Sequence, residues 1–387
     1  MKILICHNYY RYRGGEDEVV DFEKNLLNKN GYEVMEYYKY SSNIDNWFKN
    51  FKLFFSVFFS LKTVFELNRI IKTIRPDVAH IHNIFPIISP SIYYILKKNH
   101  IPIVQTIHNY RFYCSNGLGI KNGRLCDKCL KLSFKNLFQV CSEQRIYDFA
   151  LKVIMFFMGR FNTLYTVNYF IAPSEFMKKK LAMFNINEER IAIKRNSLNV
   201  IENSDESKEK KENYFTFIGR LSEEKGIMDL IYAFKGLKHL NLKILGDGPL
   251  KESIYNLIRQ DNLKNIELMG FVSGSLKYDY IRGSLANIIP SIWNEVSPVV
   301  LAECLKFGTP IIGSNLESIP EFIKDGYNGY LYNCRDIEML KEKITKVYDM
   351  NKNEKEIMQE NCRSSFSLLF DLNTNFSILL DIYKKLL

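Results

Sequence analysis

The sequence predicts an α/β protein with two Rossmann-like domains, each built around a parallel sheet. Its 387 residues are enough for two separate hydrophobic cores. Short apolar segments alternate with amphipathic helical segments through both halves of the chain. A polar and charged segment, ENSDESKEKKEN at residues 202–213, lies between the halves and has no apolar periodicity. Together these three observations favour two domains joined by a linker.

Six segments in each half have the length and the apolar composition of buried strands. In the first half they are Ile3–Cys6, Val34–Tyr37, Val78–Ile81, Ile103–Thr106, Tyr169–Ala172 and Ile191–Ile193; in the second they are Phe215–Ile218, Leu242–Leu245, Ile266–Met269, Asn287–Pro290, Pro310–Gly313 and Gly329–Leu331. Strands that alternate with helices form parallel sheets with right-handed crossovers. Ligands of such sheets bind beyond the carboxyl ends of the strands, so the residues that follow each strand are the candidates for a site.

These patterns divide the chain into a first domain at residues 1–200, a linker at 201–213 and a second domain at 214–370. The last segment, 371–387, is predicted to be a helix. The sequence has no internal repeat of solenoid length and no low-complexity tract.

The basic charge of the chain is confined to its first half. Residues 1–200 hold 29 of the 53 Lys and Arg and 16 of the 43 Asp and Glu, a net charge of +13, whereas residues 201–387 carry −3. Such an excess favours contact with anionic lipid headgroups or with a phosphate-bearing acceptor. Because no nucleic-acid-binding motif accompanies the charge, nucleic acid is not an expected partner.

The apolar segments of the first half are too short to cross a bilayer. The most apolar run, Leu53 to Leu61, is bounded by Lys52 and Lys62 and falls far short of about 20 residues. The N-terminal MKILICHNYY lacks the apolar region of a signal peptide, so we expect a cytoplasmic protein. Residues 47–72 interleave aromatic and basic side chains, which is typical either of an amphipathic helix on an anionic membrane or of a helix packed on the sheet.

The segment IIPSIWNEVSPVVLAECLKFGTPIIGSN, near residue 300, predicts an anion-binding helix start directly after a strand. Ser297 suits the N-cap position and Pro298 the first helical position, while the helix is expected to end at Phe307, before Gly308. The free N–H groups and the dipole of such a helix start favour a phosphate. Glu303 lies five residues beyond Pro298, roughly 7 Å along the helix axis at about 1.5 Å per residue. A diphosphate at the helix start would therefore lie between Glu295 and Glu303.

A second loop of the C-terminal half offers cations to the same phosphates. FIGRLSEEKGIMDL, residues 217–230, reads as a strand, a turn and a helix, with Arg220 and Lys225 on the turn. An Arg fork and a Lys point charge are well suited to a diphosphate, although alone they could equally be solvated surface charges. In LGDGPL, Gly246 and Gly248 permit a tight turn, for which a structural role is the first expectation.

Two loops of the first half follow strands and carry polar groups. Gly14 and Gly15 permit backbone N–H groups to approach a ligand where the first helix begins, or they form a simple turn. His108, in TIHNYRF, leaves another strand and could contact a ligand or be satisfied by backbone groups. His80 and His82, in HIHNIF, are interpreted as mainly structural.

The pair Glu295 and Glu303 in its strand–turn–helix setting, together with the G-R-L-x-x-x-K-G pattern from Gly219 to Gly226, resembles the family-4 retaining glycosyltransferases of the bacterial surface-polysaccharide type. The resemblance implies the GT-B fold, in which two Rossmann-like domains face each other across a cleft and the C-terminal helix crosses back to the first domain. It implies that Glu295 contacts the donor sugar and Glu303 the ribose, and that Arg220 and Lys225 hold the donor phosphates. It further places Gly15, Gly246, His108 and the loop Val296, Ser297, Pro298 and Val299 at the site, with His108 close to the reacting carbon.

The implied activity is transfer of a hexosyl or N-acetylhexosaminyl group, with retention, from a nucleotide-diphosphate sugar to a glycan or lipid-linked acceptor. The expected setting is bacterial surface polysaccharide synthesis, capsule or lipopolysaccharide, on the inner face of the cytoplasmic membrane. The sequence has no D-x-D, so no catalytic metal or other cofactor is expected. A non-catalytic membrane-associated scaffold and a sugar-nucleotide epimerase of the same fold remain alternatives.

Eight cysteines without a secretory signal favour reduced thiols or metal ligands over disulfides. Four of them, Cys114, Cys126, Cys129 and Cys141, follow one another closely, and Cys126 and Cys129 form C-x2-C. Some members of the resembled family carry a similar quartet. Four thiolates can hold a structural zinc ion, and buried free thiols are an equal alternative.

Overall fold

A computed structural model describes residues 1–10, 14–41, 57–121, 124–126, 128–129, 134–139, 141, 145–160, 163–184, 186–197 and 212–387. The chain divides into two compact units. The first comprises Met1–Lys121, Cys126–Ser197 and Leu372–Leu387, and the second comprises Asn122–Leu125 and Leu198–Asp371. The predicted linker lies outside the described residues up to position 211.

The first unit contains a six-stranded parallel sheet in the order β2-β1-β3-β4-β7-β8. Its strands are β1 (Lys2–Tyr9), β2 (Glu33–Tyr40), β3 (Val78–Ile81), β4 (Ile103–Thr106), β7 (Tyr169–Ala172) and β8 (Ile191–Ile193), and two short strands, β5 (Ile120–Lys121) and β6 (Arg124–Leu125), pair separately. Its helices are α1 (Gly15–Lys29), α2 (Leu61–Ile74), α3 (Ser91–Lys98), α4 (Arg145–Arg160), α5 (Glu175–Ala182) and the C-terminal α12 (Leu372–Lys384).

The second unit contains another six-stranded parallel sheet, in the order β11-β10-β9-β12-β13-β14. Its strands are β9 (Tyr214–Ile218), β10 (Asn241–Leu245), β11 (Ile266–Gly270), β12 (Asn287–Ile289), β13 (Ile311–Ser314) and β14 (Gly329–Tyr332). Its helices are α6 (Ile227–Gly236), α7 (Lys251–Gln260), α8 (Gly274–Gly283), α9 (Val299–Lys306), α10 (Ile337–Asp349) and α11 (Lys352–Leu369).

The predicted fold class, an α/β protein with two parallel sheets, is confirmed, and all twelve predicted strands are present. Four strands of the first unit have the predicted bounds, and the six of the second unit differ by one residue at one or both ends. The first two strands are the exceptions: β2 continues to Tyr40, and β1 continues through the polar residues His7 and Asn8 to Tyr9. These polar residues are fully buried, and His7 is bound to the carboxylate of Asp17, so the strand extends past its apolar run.

The C-terminal helix α12 belongs to the first unit's core. Leu379, Ile382 and Tyr383 are buried in the same cluster as Ile3 and Ile5 of the central strand β1. The second unit has its own core, in which the strands β9 and β10 pack against helices α6 and α10.

Both sheets reverse their strand order at a defined point. In the second unit, the chain runs outward from β9 through β10 to β11 and then returns to β12 on the other side of β9. In the first unit, the same reversal separates β1 from β3. Because the loops after the two central strands diverge there and leave a crevice, these are the positions where open parallel sheets bind ligands.

Candidate functional site

The loop between β12 and α9 leaves the reversal point of the second sheet and leads into an uncapped helix start. The N-cap is Pro298, with φ −63° and ψ 123°, and no side chain caps the helix. The prediction of Ser297 as N-cap is therefore wrong by one residue, because Pro298 is still extended and helical geometry begins only at Val299. The helix ends at Lys306, and Gly308 adopts φ +68° as predicted for a C-terminal glycine. A helix start without a side-chain cap keeps its N–H groups available to an anion.

The carboxylate of Glu295 is held in this loop by two donors. Its Oε1 accepts hydrogen bonds from the Lys225 ammonium at 2.7 Å and from the Ser291 hydroxyl at 2.6 Å. The Ser318 hydroxyl donates to the backbone carbonyl of Glu295. Glu295 is 4 % exposed, so its orientation is fixed by these bonds. The ammonium of Lys225 also lies 5.3 Å from the ring centroid of Trp293, within cation–π range.

Two glycines allow the loops after β9, β10 and β12 to approach each other. A Cβ on Gly226 would lie 1.8 Å from the carbonyl oxygen of Pro290, and one on Gly246 would lie 1.8 Å from that of Gly219. Gly226 also adopts φ +66°, which side-chain-bearing residues rarely tolerate. These backbone contacts place Lys225 beside the Glu295 loop. Arg220 is exposed and lies on the loop that follows β9, the same loop that carries Lys225.

Glu303 faces the interior of the unit from the second turn of α9. Its Oε1 accepts a hydrogen bond from the ammonium of Lys277, on α8, at 2.6 Å. Glu303 is 2 % and Lys277 8 % exposed, so the two charges form a buried ion pair. The sequence analysis did not identify Lys277, which lies 26 residues before Glu303 without a motif around it.

His108, in the first unit, lies directly after β4 and is half-buried. Its Nε2 lies 2.9 Å from Nδ1 of His82, and the two rings stack with centroids 5.2 Å apart. Burial lowers the pKa of both imidazoles well below the ordinary value of 6.5, so both are neutral at physiological pH. Both rings line a cavity of about 30 Å³ together with Asn109, Arg111 and Phe112. His82, interpreted from the sequence as structural, therefore contacts a candidate site residue directly.

The helix start that carries Gly15 is acidic. Glu16, Asp17 and Glu18 occupy its first turn, and Asp17 Oδ2 already accepts a hydrogen bond from the Gly14 N–H at 3.0 Å. Asn109 donates to Glu16 Oε2 at 3.1 Å, and burial raises the pKa of that Glu16 carboxyl. Three carboxyl groups at this position would repel a phosphate, whereas they can accept hydrogen bonds from the hydroxyls of a ligand.

Another buried carboxylate, that of Glu23 on α1, lies beneath His82. Its Oε1 is paired with the ammonium of Lys194, and its Oε2 lies 3.7 Å from His82 Nε2 and 3.8 Å from His80 Nδ1. All four residues are at most 4 % exposed. The sequence analysis did not identify Glu23. Its position between Val20 and Leu27, on the buried side of α1, could have identified it, since a charged residue on the apolar face of a helix is unusual.

Two of the four clustered cysteines contact polar side chains. Cys114 Sγ lies 2.9 Å from Asn116 Oδ1, and the Lys152 ammonium lies 3.1 Å from Cys141 Sγ. Burial raises the pKa of the Cys129 thiol to about 12, which favours the protonated form. Among the described residues, which include all four cysteines, no three of the sulfurs lie within 4.8 Å of one another. None of the four is in a disulfide, Cys129 lies within electrostatic range of the other three, and a structural zinc ion stays a prediction.

Helix α2 exposes apolar side chains beside basic ones. Leu61 and Phe65 are 64 % and 73 % exposed, whereas Leu67 and Ile71 are buried against the unit. The helix therefore packs along one face and leaves aromatic and aliphatic surface on another. The part of the predicted amphipathic segment before residue 57 lies outside the described residues. Within the described part of the chain, no helix has the length and hydropathy needed to cross a bilayer.

The predicted site residues thus fall into two groups. Lys225 and Glu295 are brought into direct contact in the second unit, with Arg220 and Gly246 on adjoining loops. Glu303 lies in the same unit but forms its own pair with Lys277. Gly15 and His108 belong to the first unit.

Two family models match consecutive parts of the chain. The one described as Glycosyltransferase Family 4 matches residues 38–200, and the one described as Glycosyl transferases group 1 matches residues 200–365. An uncharacterized glycosyltransferase of Methanocaldococcus jannaschii is 26 % identical over 356 residues, covering 90 % of this chain and 88 % of its own length.

The matches include a relative with a described activity and a similar structure with a bound ligand. The UDP-Gal:alpha-D-GlcNAc-diphosphoundecaprenol alpha-1,3-galactosyltransferase of Escherichia coli is 28 % identical over 180 residues, 44 % of each chain. The structure of Anabaena HepE in complex with UDP-glucose has a TM-score of 0.66 at 16 % identity, and the match covers 99 % of this chain and 100 % of that one. The structural similarity extends over the full chain and shows the same fold.

Proposed function

Because the chain belongs to the GT-B glycosyltransferases of family 4, we propose that it transfers a sugar with retention from a nucleotide-diphosphate sugar to a glycan or lipid-linked acceptor. The observation that carries this proposal is the second unit's reversal point. There an uncapped helix start, a Lys225–Glu295 pair and the buried Glu303 lie on adjoining segments.

The donor diphosphate is proposed to bind at the start of α9. The N–H groups of the loop from Val296 to Val299 and the helix dipole would meet its charge, together with Arg220 and Lys225. An ammonium has three N–H donors, and Glu295 accepts one of those of Lys225. The other two would bond phosphate oxygens while Glu295 holds the side chain in place.

The two glutamates are proposed to bind the groups on either side of the diphosphate. Glu303 would accept hydrogen bonds from the ribose hydroxyls, with Lys277 keeping its carboxylate ionised in a buried position. Glu295 would accept from a hydroxyl of the donor sugar through its second carboxylate oxygen. Gly246 would keep the neighbouring turn close to β9 without contacting the reacting atoms.

The chemical step is proposed to rely on stabilising the leaving nucleoside diphosphate. Negative charge grows on the phosphate when the bond between it and the sugar breaks, and Arg220, Lys225 and the α9 amides would face that charge. The acceptor hydroxyl would attack the same face of the sugar that the phosphate leaves, which gives retention, and its proton would pass to the leaving phosphate. His108 is proposed to bind a hydroxyl close to the reacting carbon.

In this proposal cationic side chains and N–H groups, and not a bound metal ion, neutralise the charge of the diphosphate. Transfer is proposed to be independent of added divalent metal. A structural zinc ion is not part of this proposal and stays a separate prediction.

The donor is proposed to be a UDP-hexose or UDP-N-acetylhexosamine, and the acceptor a lipid-linked glycan of a bacterial capsule or lipopolysaccharide pathway. The support is the UDP-glucose in the similar Anabaena structure and the UDP-galactose donor and diphosphoundecaprenol acceptor named for the Escherichia coli relative. The basic first half, with the exposed Leu61 and Phe65, supports peripheral contact with the inner face of an anionic membrane. Gly15 is proposed to contact a hydroxyl of the sugar or acceptor rather than a phosphate, since its helix start is acidic.

A panel of UDP-, GDP-, TDP- and ADP-sugars, scored for binding and for hydrolysis, tests the proposal. We expect a UDP-sugar to bind and to be hydrolysed slowly without acceptor, with no loss of rate in the presence of a chelator. Binding without any turnover, including turnover with lipid-linked acceptors, would favour the non-catalytic scaffold. Absence of nucleotide binding would contradict the proposal.

A further inference from the structure

The first unit holds a continuous line of buried polar groups that ends at His108. From the interior outward it consists of the Lys194 ammonium, the Glu23 carboxylate, the His82 ring and the His108 ring. Each member comes from a different element, since Glu23 lies on α1, His82 follows β3, His108 follows β4 and Lys194 follows β8.

The bond between the two imidazoles can be made in two ways. At 2.9 Å, one ring nitrogen donates and the other accepts, and both rings are neutral. If His108 Nε2–H donates to His82 Nδ1, then His82 carries its own proton on Nε2 and His108 has a bare Nδ1. If His82 Nδ1–H donates instead, His82 Nε2 is bare and His108 carries its proton on Nδ1.

The carboxylate of Glu23 distinguishes these two states. Its Oε2 lies 3.7 Å from His82 Nε2, and neither atom has a hydrogen-bond partner among the described residues. A carboxylate can only accept, so a protonated His82 Nε2 is attracted to it, whereas a bare Nε2 would oppose two lone pairs in a buried site. His80 does not compete, because its Nε2 is bonded to Thr106 Oγ1 at 2.8 Å and its Nδ1 to the Tyr383 hydroxyl at 2.6 Å.

We propose that Glu23 and His82 are positioning residues that fix the tautomer of His108 with Nε2 protonated and Nδ1 bare. His108 then presents a hydrogen-bond acceptor, not a donor, to a hydroxyl of the sugar or acceptor. The assignment of that hydroxyl rests on the proposed function, whereas the tautomer itself does not.

A metal ion offers a different explanation for the same groups. Glu23, His80 and His82 are the one cluster of potential ligands within 4.8 Å that the described residues contain. The Lys194 ammonium already neutralises Glu23, however, so a dication would add net charge to a site that is almost fully buried. The electrostatics therefore favour the line of polar groups from Lys194 to His108 over a bound metal ion.

Nitrogen-15 NMR of the full-length protein, labelled in histidine, tests the tautomer directly. The chain has six histidines, and long-range proton–nitrogen correlation distinguishes protonated from bare ring nitrogens. The signals of His108 are identified by their loss in His108→Gln. We expect His108 and His82 both to be protonated at Nε2; a proton on His108 Nδ1, or a stoichiometric metal ion bound by His82, would overturn the proposal.

The variant Glu23→Gln/Lys194→Met tests the cause. The amide can either donate to His82 Nε2 or accept from it, so the preference imposed by the carboxylate is lost while no ammonium is left unpaired, and we expect the Nδ1-protonated tautomer of His108 to become populated. Asp17→Asn is the matched control, a carboxylate-to-amide change on the same helix beside His7, and should leave His108 unchanged. An unchanged His108 in the double variant would overturn the role of Glu23, and if that variant fails to fold, the wild-type spectrum still decides the tautomer.

Turnover of a UDP-sugar separates this inference from the proposed function. We expect kcat to fall on the order of tenfold or more in the double variant while KM for the donor is retained, since the donor phosphates bind on the second unit. If no nucleotide sugar is turned over by the wild type, the proposed function fails and the tautomer result remains valid. If turnover is normal but His108 carries its proton on Nδ1, the inference fails and the function stands.

Discussion

The buried pair between Lys277 and Glu303 gives the sharpest prediction for nucleotide binding. If Glu303 binds the ribose, removing its carboxylate should weaken binding of a nucleoside diphosphate. A simple Glu303→Ala change also leaves the Lys277 ammonium in the interior without its counter-ion, at 8 % exposure. Such an uncompensated buried charge lowers the free energy of unfolding by about 3–5 kcal/mol, which would confuse loss of binding with loss of folding.

The double variant Lys277→Met/Glu303→Leu avoids this difficulty. Replacing a buried ion pair by apolar groups of similar volume is often neutral or stabilising, so we expect the double variant to unfold at a urea concentration close to that of the wild type. Its affinity for UDP should still fall, because a charged hydrogen bond to the ribose contributes about 1.5–3 kcal/mol. This corresponds to a Kd raised roughly 10- to 160-fold.

Isothermal titration of UDP into wild type and both variants measures the effect. Lys235→Met/Asp261→Leu is the control, because it removes another Lys–carboxylate pair, 2.7 Å apart, from the same unit. We expect the control to bind UDP as the wild type does. A double variant that is folded and binds UDP within about twofold of wild type would refute the ribose assignment of Glu303.

Three further predictions concern Lys225, the buried histidines and helix α2. Lys225→Met should lower kcat/KM for the donor by about 10²-fold and weaken UDP binding but not uridine binding, since only UDP has phosphates to contact; equal losses for both ligands would contradict this. The free energy of unfolding should fall as pH drops below about 6.5, because burial lowers the pKa of His80 to about 4 and those of His82 and His108 well below 6.5, so the unfolded chain takes up protons that the folded chain does not. The free energy of unfolding should fall by about 1.4 kcal/mol per pH unit for each histidine. Glu16 partly offsets this fall, because its raised pKa acts in the opposite direction. A free energy of urea unfolding that is independent of pH between 6.5 and 5 would contradict the prediction. Leu61→Ser/Phe65→Ser should reduce binding of the full-length protein to anionic vesicles, and the remaining binding should be weakened by salt; vesicle binding equal to that of the wild type would exclude this face of α2.

The strands were predictable because each is a short apolar run that ends at a polar or glycine-containing turn. Val78–Ile81 and Ile103–Thr106 were predicted with the bounds that the structure has, and every residue of both strands is buried. The first strand was predicted too short, because its continuation depends on the bond between His7 and Asp17, which periodicity does not reveal.

The contacts of the candidate site were only partly predictable. A strand followed by a helix places Glu295 and Lys225 at the same sheet edge, and the structure brings them to 2.7 Å. Long-range pairs such as Lys277 with Glu303 depend on how α8 packs beside α9, for which a single sequence gives no signal. The partnership of His82 with His108 likewise depends on β3 and β4 being neighbours, which the order of strands along the chain suggests but does not fix.

The central claim is that the start of α9 binds the diphosphate of a nucleotide sugar and that Glu303 holds its ribose. A crystal structure of the protein with UDP bound tests it most directly. We predict that the phosphates contact the first-turn amides at Val299 and that the ribose hydroxyls lie within about 3 Å of the Glu303 carboxylate. Nucleotide bound elsewhere, with no contact to Glu303 or to the start of α9, would contradict the account.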